Sequence, residues 1–438
     1  MHEPDPAPTD AVPGRIAAFC GDTAVSHVQF LRHVAAVAQG LPSGPFMVNL
    51  CEDRYCFLVA FAAAQQRRHT VLLPASRAEQ VVAEVESANP GGYRCDDSMI
   101  SAALPVAAGL SAPSGSAVDA AHICMIGFTS GSTGQPKRFP KRWSTVSAST
   151  ACNTAAICAA LNLGQHAAAT IVATVPPQHM YGMELSILLP LISGLAVHSG
   201  RPLFPADIAQ ALAQVPAPRI LVSTPVHLRA IVESPQEFPE VALIVSATAP
   251  LDSNLAQLVE RKLRGQLLEM FGSTETCVFA NRRTAIDTAW TPYEGVDLTP
   301  QAEGTLVNAP WFVTPMLLQD IVELQQDGRF VVRGRNADMI EVAGKRASLA
   351  DLTRRLLAID GVTDAVVFQP DDSAAGAVRR VAALVVSETL TSAQILEQLR
   401  QGVDPAFLPR PLRIVDRLPR NELGKLPLKA LLRVLRSS

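Results

Sequence analysis

Short apolar runs and segments of helical periodicity alternate over the first 271 residues. Apolar runs bounded by proline, glycine or charged residues predict buried strands. These runs lie at 46–50, 70–73, 122–128, 170–175, 219–223, 241–246 and 267–271. Apolar positions at helical spacing predict helices at 28–38, 55–64 and 77–87. Because strands that alternate with helices form βαβ units, we expect an α/β domain built on a parallel sheet.

The pattern changes after residue 300. Alternating apolar and polar positions predict antiparallel strands at 304–308 and 320–324, and Asp327-Gly328 predicts a hairpin turn to a strand at 330–332. From residue 338 onward the pattern is mixed again. It predicts helices at 349–358 and 392–401 and strands at 362–368, 381–386 and 412–415. A small α/β domain at 338–438 therefore follows the larger one.

Length and charge exclude some classes of protein. The chain has 438 residues, of which 48% are hydrophobic, and its formal net charge is −3. This length allows two or three domains with sizeable cores. A dedicated nucleic-acid-binding protein would carry a strong basic bias, so the near-neutral charge argues against that class.

The sequence predicts a soluble, cytoplasmic protein. The N-terminal segment is acidic and rich in proline, and it lacks the basic and apolar regions of a signal peptide. The longest apolar run, 185–197, is interrupted by Ser186, Pro190, Ser193 and Gly194 and is too short to span a bilayer. The eight cysteines are scattered, form no Cys-x-x-Cys pair and fit no zinc spacing. We expect them to be reduced thiols.

A loop rich in glycine and hydroxyl groups follows the strand at 122–128. Glycines allow its backbone to turn tightly and approach a ligand closely, and successive N–H groups in such a turn bind anions. The loop matches neither the Walker A sequence nor the Gly-x-Gly-x-x-Gly pattern of dinucleotide-binding proteins, and a plain Ser/Gly linker is the alternative. Its residue types favour the binding of nucleotide phosphates, through Thr129, Ser130, Gly131, Ser132, Thr133, Gly134 and Lys137.

A basic segment, 138–142, follows this loop and precedes a helix that is predicted to start near Trp143. Its arginines and lysine either help to hold a triphosphate or form a solvated basic turn. The residues alone leave both interpretations open.

Two other strands end in residues suited to ligand binding. Glu275 follows the strand at 267–271, and the carboxyl ends of strands are where open α/β sheets bind ligands. A carboxylate near phosphates suits Mg²⁺, although Ser273 could instead cap a helix. His179 and Tyr181 lie in the loop after the strand at 170–175, and a purely structural histidine is the alternative there.

The segment 128–137 resembles the phosphate loop of the adenylate-forming superfamily, which includes acyl-CoA synthetases, adenylation domains of peptide synthetases and luciferases. Each fixed position of that family's pattern, [YF]-T-S-G-[ST]-T-G-x-P-K, is present. Other segments resemble the family's further motifs in the same order: 176–182, 247–251, 271–275, 320–340 and 420–426. The resemblance implies an α/β fold with three parts. A large N-terminal domain with a small β-barrel-like subdomain would occupy 1–335, a small mobile C-terminal α+β domain 338–438, and a hinge would lie near 336–338.

The resemblance also implies roles for individual residues. Phe271 would stack on adenine, Asp320 would bind the ribose hydroxyls, and Glu275 would hold Mg²⁺. The expected catalytic residues are Lys425, His179, Thr274 and Glu275. The remaining ATP-binding residues would be Ala247, Thr248, Gly272, Ser273 and Arg335. The expected acid pocket is lined by His179, Tyr181, Gly182, Ser246, Gly272, Thr276 and Cys277.

Some positions depart from the family's pattern. Ala247 and Thr248 replace two glycines whose backbone passes the adenine in that family, so we expect the backbone there to approach the adenine more tightly or to be shifted. Ala337 stands at the hinge, where Asp or Lys is usual, and Glu341 replaces a usual lysine. Gly344 and Lys345 lie where the family's glycine-bearing loop lines the tunnel for the thiol.

The activity implied is ATP-dependent conversion of a carboxylic acid to an acyl-adenylate, followed by transfer to a thiol. The short chain and the segment 49–55 look like stand-alone ligases of aryl-polyene and xanthomonadin-type pigment clusters, which load hydroxybenzoates onto an acyl carrier protein. From Arg410 onward, eight Lys or Arg residues face only two acidic ones, a bias that suits an acidic carrier protein or the phosphates of CoA. A CoA ligase for an aryl or medium-chain acid is the alternative. A non-catalytic nucleotide-binding regulator and a luciferase-like oxidase are more remote possibilities.

Overall fold

The computed structural model describes residues 14–111, 118–129, 137–162, 168–301, 303–335, 339–342, 345–370, 381–401, 403–421 and 424–437. The chain divides into two compact units. The first unit comprises Met1–Val296 and Ala309–Thr314, and the second comprises Asp297–Asn308 and Pro315–Ser438.

The first unit contains fourteen described strands. In chain order they are β1 (Ile16–Cys20), β2 (Thr23–Ser26), β3 (Phe46–Asn49), β4 (Thr70–Leu73), β5 (Gly92–Cys95), β6 (Ile123–Thr129), β7 (Lys137–Arg142), β8 (Thr170–Ala173), β9 (Ala196–His198), β10 (Arg219–Ser223), β11 (Leu243–Ser246), β12 (Gln266–Ser273), β13 (Cys277–Arg282) and β14 (Thr291–Pro292). The predicted strands are confirmed, with ends that differ by up to two residues.

Ten described α-helices belong to the first unit. They are α1 (His27–Gly40), α2 (Arg54–Gln66), α3 (Glu79–Ser87), α4 (Asp97–Ala103), α5 (Trp143–Leu161), α6 (Met180–Met183), α7 (Leu189–Ser193), α8 (Pro205–Ala213), α9 (Pro225–Glu233) and α10 (Ser253–Leu263). Side chains start several of them: Ser26 caps α1 in a capping box with Gln29, and the carboxylate of Asp53 accepts from the Cys56 amide at the start of α2.

Two sheets form the framework of the first unit. The larger sheet has the order β14-β13-β12-β11-β10-β8-β9-β1-β2, and its six strands from β12 to β1 are mutually parallel. The smaller sheet has the order β5-β3-β4-β6-β7, with only the β6–β7 pair antiparallel. The predicted parallel α/β architecture is thus confirmed. Because β8, β10, β11 and β12 run in one direction, the segments that follow them leave the same edge of the larger sheet.

Apolar residues on both sides of these strands form the core. One cluster packs α8, α9 and α10 against the larger sheet through residues such as Leu212, Leu228 and Leu263. The strand residues of the same cluster are fully buried, as expected for parallel strands covered by helices.

The second unit contains β15 (Asp297–Gln301), β16 (Gly304–Asn308), β17 (Met316–Leu318), β18 (Asp320–Leu324), β19 (Phe330–Arg335), β20 (Met339–Val342), β21 (Lys345–Ser348), β22 (Asp364–Phe368), β23 (Ala382–Val386) and β24 (Leu412–Ile414). Its described α-helices are α11 (Leu349–Leu357), α12 (Ser392–Arg400) and α13 (Leu428–Arg436). The strands from β15 to β19 form short antiparallel sheets, as the alternating pattern predicted.

The sheet of β22, β23 and β24 is covered on both faces. Ala383 and Val385 of β23 join the cluster that contains α11 and α12, whereas Ala382 and Leu384 join the cluster that contains Leu431 of α13. This alternation is the period of two expected of a strand. The predicted boundary at 335–338 stays a prediction, because residues 336–338, including Ala337, lie outside the described residues.

Within the described parts of the chain, no helix is long and apolar enough to cross a membrane.

Candidate active site

The hairpin of β6 and β7 forms the base of the predicted phosphate loop. Thr129, at the end of β6, lies opposite Lys137 at the start of β7, and the side chain of Lys137 is exposed. This pairing fixes both ends of the loop. The predicted phosphate ligands between the strands lie outside the described residues and stay predictions: Ser130, Gly131, Ser132, Thr133 and Gly134.

A second hairpin, formed by β12 and β13, carries Thr274 and Glu275 in its turn. The Ser273 amide donates to Thr276 Oγ1 at 3.0 Å, and the Thr276 amide donates to Ser273 Oγ at 3.2 Å. These reciprocal bonds hold the turn closed. Because β13 begins directly after it, the alternative interpretation of Ser273 as a helix cap is wrong.

Gly272 is required by the close approach of the two strands of this hairpin. A side chain at this position would overlap the carbonyl group of Cys277. Cys277 itself has a φ of 59°, and the register of the hairpin shifts between Phe271 and Gly272. The irregularity turns the end of β12 away from its regular path.

The two hairpins contact each other in two places. Gly127 of β6 faces Thr274, whose Cγ2 would lie 3.3 Å from a β-carbon at residue 127. The Nζ atom of Lys141, in β7, donates to the carbonyl oxygen of Glu275 at 2.5 Å. The turn with Thr274 and Glu275 is therefore held beside the strand that leads into the phosphate loop.

The basic segment after the loop is a strand and not a solvated turn. It forms β7, in which Lys141 is only 5% exposed. Arg138 donates to Asn89 Oδ1 at 2.8 Å, and Arg142 is exposed. Direct binding of a triphosphate by this segment stays a prediction.

The segment with the predicted acid-pocket residues His179, Tyr181 and Gly182 lies beyond β8, at the same edge of the larger sheet as the turn after β12. His179, half-buried, precedes α6, and the Met183 amide donates to its carbonyl oxygen at 2.7 Å. A side chain at Gly182 would overlap the carbonyl group of Pro176, which explains the glycine. The hydroxyl of the buried Tyr181 lies 3.1 Å from Ser223 O and 3.0 Å from Val245 O.

These contacts tie Tyr181 to the ends of β10 and β11. Burial raises the pKa of its hydroxyl well above the usual value, so it stays protonated and donates. The structure thus gives Tyr181 an anchoring role, and its predicted contact with the acid stays a prediction, as do the roles of His179 and Gly182.

Arg54, to which the sequence analysis gave no role, anchors the start of the segment that follows β8. Its guanidinium group is fully buried and donates to the carbonyl oxygens of Ala173 at 2.9 Å and Val175 at 2.8 Å, and also to Ser186 Oγ. Burial lowers the pKa of Arg54 to about 9. Because both carbonyl groups lie at or just after the end of β8, Arg54 sets the direction in which the chain leaves the sheet.

The end of β11 supplies a second part of the candidate pocket. Ser246 is fully buried, and its hydroxyl has no hydrogen-bond partner among the described residues. A buried hydroxyl without a partner is costly unless something else, such as a ligand, satisfies it.

Thr248, just beyond Ser246, has a φ of 82°. Glycine adopts this backbone conformation readily, whereas a β-branched residue does so rarely. The backbone therefore keeps the conformation that suits the glycine usual at this position, despite the threonine. Contacts of Ala247 and Thr248 with the nucleotide stay predictions.

Phe271 is half-buried in an aromatic cluster at the end of β12. Its ring centroid lies 5.4 Å from that of Phe279, in an edge-on arrangement, and 4.9 Å from that of Trp290. The guanidinium group of Arg282 lies 4.3 Å from the Trp290 ring centroid. These neighbours hold the Phe271 ring in place, and its stacking on adenine stays a prediction.

A buried polar cluster lies behind the turn with Glu275. Glu184, only 2% exposed, accepts from the Val278 amide at 3.0 Å and from Ser149 Oγ at 3.3 Å. Burial raises the pKa of Glu184 from 4.5 to about 7, an effect that the charge of Lys141 partly opposes. Glu184 sits in a π-helical turn directly after α6, so this cluster links the segment with the predicted acid-pocket residues to β13.

Thr276 and Cys277, two predicted pocket residues, are both fully buried. Thr276 Oγ1 donates to Cys277 O at 2.9 Å. Burial raises the pKa of the Cys277 thiol to about 12, so the thiol is neutral. Their predicted contacts with the acid stay predictions.

The residues present fit Mg²⁺ in one way. Among the described residues there is no group of three or more His, Cys, Asp or Glu side chains that could hold a metal ion. Mg²⁺, however, commonly binds to one or two carboxylates and to the phosphates of its substrate. The half-buried Glu275, held beside the strand that leads into the phosphate loop, suits that mode.

Asp320 and Arg335, the predicted ribose-binding and nucleotide-binding residues, lie in the second unit. Asp320 begins β18 and pairs with Arg335, which ends β19, so both lie at the open end of this hairpin. Asp320 is buried. The backbone of Lys345 begins β21, and Gly344 lies outside the described residues. The roles of these four residues stay predictions.

Lys425 has an exposed side chain on a tightly held turn of the second unit. Its amide donates to Asn421 Oδ1 at 2.9 Å, and its carbonyl oxygen accepts from the Asn421 amide at 2.8 Å. Arg420 donates to Gly424 O at 2.9 Å and to both carboxylate oxygens of Asp364. Arg420 thus fixes the backbone beside Lys425 to the start of β22.

Sequence reasoning assigned no specific role to three residues that organise this site: Arg54, Lys141 and Glu184. Each is a charged residue with no more than 5% exposure. The sequence contained one usable signal, since Glu184 directly precedes the longest apolar run, but no pattern in it shows that Lys141 points inward.

In a comparison with known families, residues 45–336 match the AMP-binding enzymes. A 4-coumarate–CoA ligase of Halorhodospira halophila is 27% identical over 311 residues, which cover 68% of this chain and 73% of the relative. The p-hydroxybenzoic acid–AMP ligase FadD22 of Mycobacterium tuberculosis is 25% identical over 287 residues, which cover 56% of this chain and 40% of that protein.

A solved structure, ATP-bound MatB from Rhodopseudomonas palustris, superposes with a TM-score of 0.77 at 18% identity. The superposition covers 97% of this chain and 96% of MatB. The predicted fold, with large N-terminal and small C-terminal parts, is confirmed by this likeness.

Proposed function

Because this chain belongs to the family of AMP-binding enzymes, we propose that it activates a hydroxybenzoate with ATP and transfers the acyl group to the thiol of an acyl carrier protein. The general activity, without the identity of the acid or of the thiol, is that of an AMP-forming acid–thiol ligase. The carboxylic acid becomes an acyl-adenylate and then a thioester. To this general reaction, the proposal adds the identities of the acid and of the thiol acceptor.

A contact between two hairpins is the observation that most directly supports this proposal. The turn with Thr274 and Glu275 contacts the hairpin that carries the phosphate loop, through Gly127 and Lys141. These segments are more than 130 residues apart in sequence. Their contact supports a single site that holds the phosphates and their metal ion.

In the first step, an oxygen of the substrate carboxylate attacks the α-phosphorus of ATP. The bond between this phosphorus and the oxygen bridging to the β-phosphate breaks, and pyrophosphate leaves. Catalysis of such a transfer depends mainly on positioning and on neutralising charge. Residues 129–137 would hold the β- and γ-phosphates, and the amine of Lys425 would stabilise the charge at the reacting oxygens.

Mg²⁺, when bound, would neutralise phosphate charge, and Glu275 would hold it. The remaining contributions come from the chain itself. Phe271 would orient the adenine ring, and Asp320 would orient the ribose. The carboxyl-edge segments that follow β8 and β11 would bind the acid.

In the second step, the sulfur of a thiolate attacks the acyl carbon of the acyl-adenylate. The bond to the AMP oxygen breaks, and AMP leaves. We propose that the part of the chain after residue 338 moves relative to the rest between the two steps, as gating domains do in many enzymes. Gly344 and Lys345 would then line the path of the thiol.

Several features support an aromatic acid. The pocket candidates carry no formal charge apart from the titratable His179, so a second carboxylate on the substrate would lack a partner. Ser246 offers a buried hydroxyl to a polar substituent. Relatives named for 4-coumarate and for p-hydroxybenzoic acid act on acids of this kind.

The carrier protein is favoured by the basic C-terminal part. Eight Lys or Arg residues and two acidic residues follow residue 409. Lys429, Arg433 and Arg436 are exposed along α13, where their spacing places them near one face. Such a row suits electrostatic steering of an acidic partner. CoA as the acceptor is the second candidate, because the Halorhodospira relative is named as a CoA ligase.

The test is pyrophosphate release from ATP and Mg²⁺ with benzoates, hydroxybenzoates, cinnamates and fatty acids. We expect release with hydroxybenzoates and, for Lys425→Ala, a rate lower by about 10² to 10³, as for the loss of other charge-stabilising donors. Lys429→Ala, an exposed lysine on α13, is the matched control and should keep the wild-type rate of this half-reaction.

The preferred acid is then offered with CoA or with a phosphopantetheinylated carrier protein. Thioester formed with the carrier protein, and weakened by Lys429→Glu/Arg433→Glu at unchanged pyrophosphate release, would support the proposed acceptor. Thioester formed only with CoA would refute it. No pyrophosphate release with any acid, while ATP still binds, would favour a non-catalytic regulator.

A further inference from the structure

Lys141, in β7, is a buried lysine. Its side chain is 5% exposed, whereas its neighbour Arg142 on the same strand is exposed. Lysine is rarely buried without partners, because its ammonium group loses hydration. A hydrocarbon side chain at this position would avoid that cost. We therefore expect the contacts of the ammonium group to offset it.

Those contacts converge on the turn after β12. Nζ of Lys141 donates to the carbonyl oxygen of Glu275 at 2.5 Å, and the charge of Lys141 partly opposes the effect of burial, which raises the pKa of the nearby Cys277 thiol. The nearby buried Glu184 accepts from the Val278 amide, and the charge of Lys141 favours ionisation of its carboxyl group. The ammonium group thus lies where β7, the turn with Glu275 and the π-helical turn meet.

Two of these elements carry parts of the proposed site. β7 closes the phosphate loop at Lys137, four residues before Lys141, and the bonded carbonyl group belongs to Glu275 itself. Thr274, on the same turn, packs on Gly127 of β6. We therefore expect loss of the bond to this carbonyl group to shift the turn with Glu275 relative to the β6–β7 hairpin.

We propose that Lys141 is a positioning residue, whose ammonium group ties the turn with Thr274 and Glu275 to the phosphate-loop hairpin and so places the metal-binding carboxylate. The proposal rests on the proposed function, since it takes Glu275 as the carboxylate that holds Mg²⁺. In this proposal Lys141 does not itself bind the phosphates or the metal ion. It acts through the backbone of Glu275.

The first experiment measures binding and not turnover. The dissociation constant of a non-hydrolysable ATP analogue is determined by equilibrium dialysis with Mn²⁺ and with EDTA, and the ratio of the two constants reports the contribution of the metal. We expect Lys141→Met to reduce this ratio by about tenfold or more, as for other residues that orient metal ligands, and to leave the constant in EDTA within about twofold. Lys141→Arg, which keeps a charged donor, should restore part of the ratio, and Arg261→Met, at an exposed arginine of α10, should match the wild type.

The second experiment measures the tie itself. Hydrogen exchange of the peptide at 272–278 should be faster in Lys141→Met and unchanged in Arg261→Met. If Lys141→Met does not fold, Glu184→Gln/Lys141→Met removes both buried charges and is used in both experiments. Wild-type exchange together with a wild-type ratio would overturn the proposal.

Glu275→Gln separates this proposal from the proposed function. A reduced ratio in Glu275→Gln and in Lys141→Met supports both. An unchanged ratio in Glu275→Gln overturns the metal role of Glu275, and Lys141 is then judged by hydrogen exchange alone. Faster exchange would support the tie in that case, and unchanged exchange would refute it.

Discussion

The buried carboxyl group of Glu184 makes the stability of the first unit depend on pH. Glu184 is held by Val278 N, Ser149 Oγ and Asn153 Nδ2, in a cluster that also contains Lys141. Burial raises its pKa from 4.5 to about 7. The substitution Glu184→Gln keeps the shape and a hydrogen-bond acceptor but removes the ionisation.

The direction of the effect follows from the raised pKa. Below pH 4.5 the carboxyl group of Glu184 is protonated in both the folded and the unfolded chain, so its ionisation costs no stability. As the pH rises from 4.5 to about 7, the carboxyl group is ionised in the unfolded chain but still protonated in the folded one, so stability is lost over this range and the loss levels off above it. Each pKa difference of one corresponds to about 1.4 kcal/mol, so the full loss is about 3 kcal/mol.

Urea unfolding at pH 4.5, 6 and 8 measures this effect. All three tryptophans of the chain, Trp143, Trp290 and Trp311, lie buried in the first unit, so their fluorescence reports the unfolding of that unit. We expect the free energy of unfolding of Glu184→Gln, relative to the wild type, to increase by about 3 kcal/mol between the lowest and the highest pH.

Glu237→Gln, at an exposed glutamate of the same unit, controls for the loss of one carboxyl group. The reasoning would be refuted if the difference between Glu184→Gln and the wild type stayed constant over this pH range. It would equally be refuted if the wild type gained stability relative to the variant as the pH rose.

Three further predictions concern other contacts. Arg420→Ala should lower the kcat of adenylation about tenfold, because it releases the turn that carries Lys425, whereas Arg417→Ala at an exposed arginine should not; equal rates in the two variants would contradict this. Thr248→Gly should raise the free energy of unfolding by about 1 kcal/mol, because strain at its φ of 82° outweighs the entropy that glycine gains in the unfolded chain; a loss of stability in urea unfolding would contradict it. Tyr181→Phe should lower the free energy of unfolding by about 1 to 2 kcal/mol, because two strand-end carbonyl groups share its hydroxyl as a donor. A higher KM for the acid at unchanged stability would instead assign Tyr181 to the pocket.

Periodicity predicted the framework of the fold because burial of strands and helices leaves a local pattern. β4 at Thr70–Leu73 and β10 at Arg219–Ser223 lie where their apolar runs predict them. β7 was missed because its charged residues resemble a solvated turn, although an antiparallel edge strand can carry them. Local sequence contains no sign of which of those charges points inward.

The candidate site was predictable only where function constrains a contiguous segment. The phosphate loop and the turn with Glu275 are such segments, and their residue types suggest phosphates and a metal. The supporting contacts are not local: Arg54 bonds Ser186, 132 residues away, and Lys141 bonds Glu275, 134 residues away. Pairs of this kind depend on the arrangement of the sheets, which a single sequence does not specify residue by residue.

The order of strands in the two sheets has a consequence for how the chain folds during its synthesis. The five-stranded sheet uses one continuous stretch, from Phe46 to Arg142, and can close as soon as that stretch has left the ribosome. The nine-stranded sheet is complete only when β14 has been made. β14 ends 150 residues after β7, and these residues take about 8 to 30 s at ordinary rates of translation. For the first 56 residues of that interval, until β9 ends at His198, the hairpin of β1 and β2 has no β9 to pair with, and its unpaired edge is a natural place for a chaperone to bind the nascent chain.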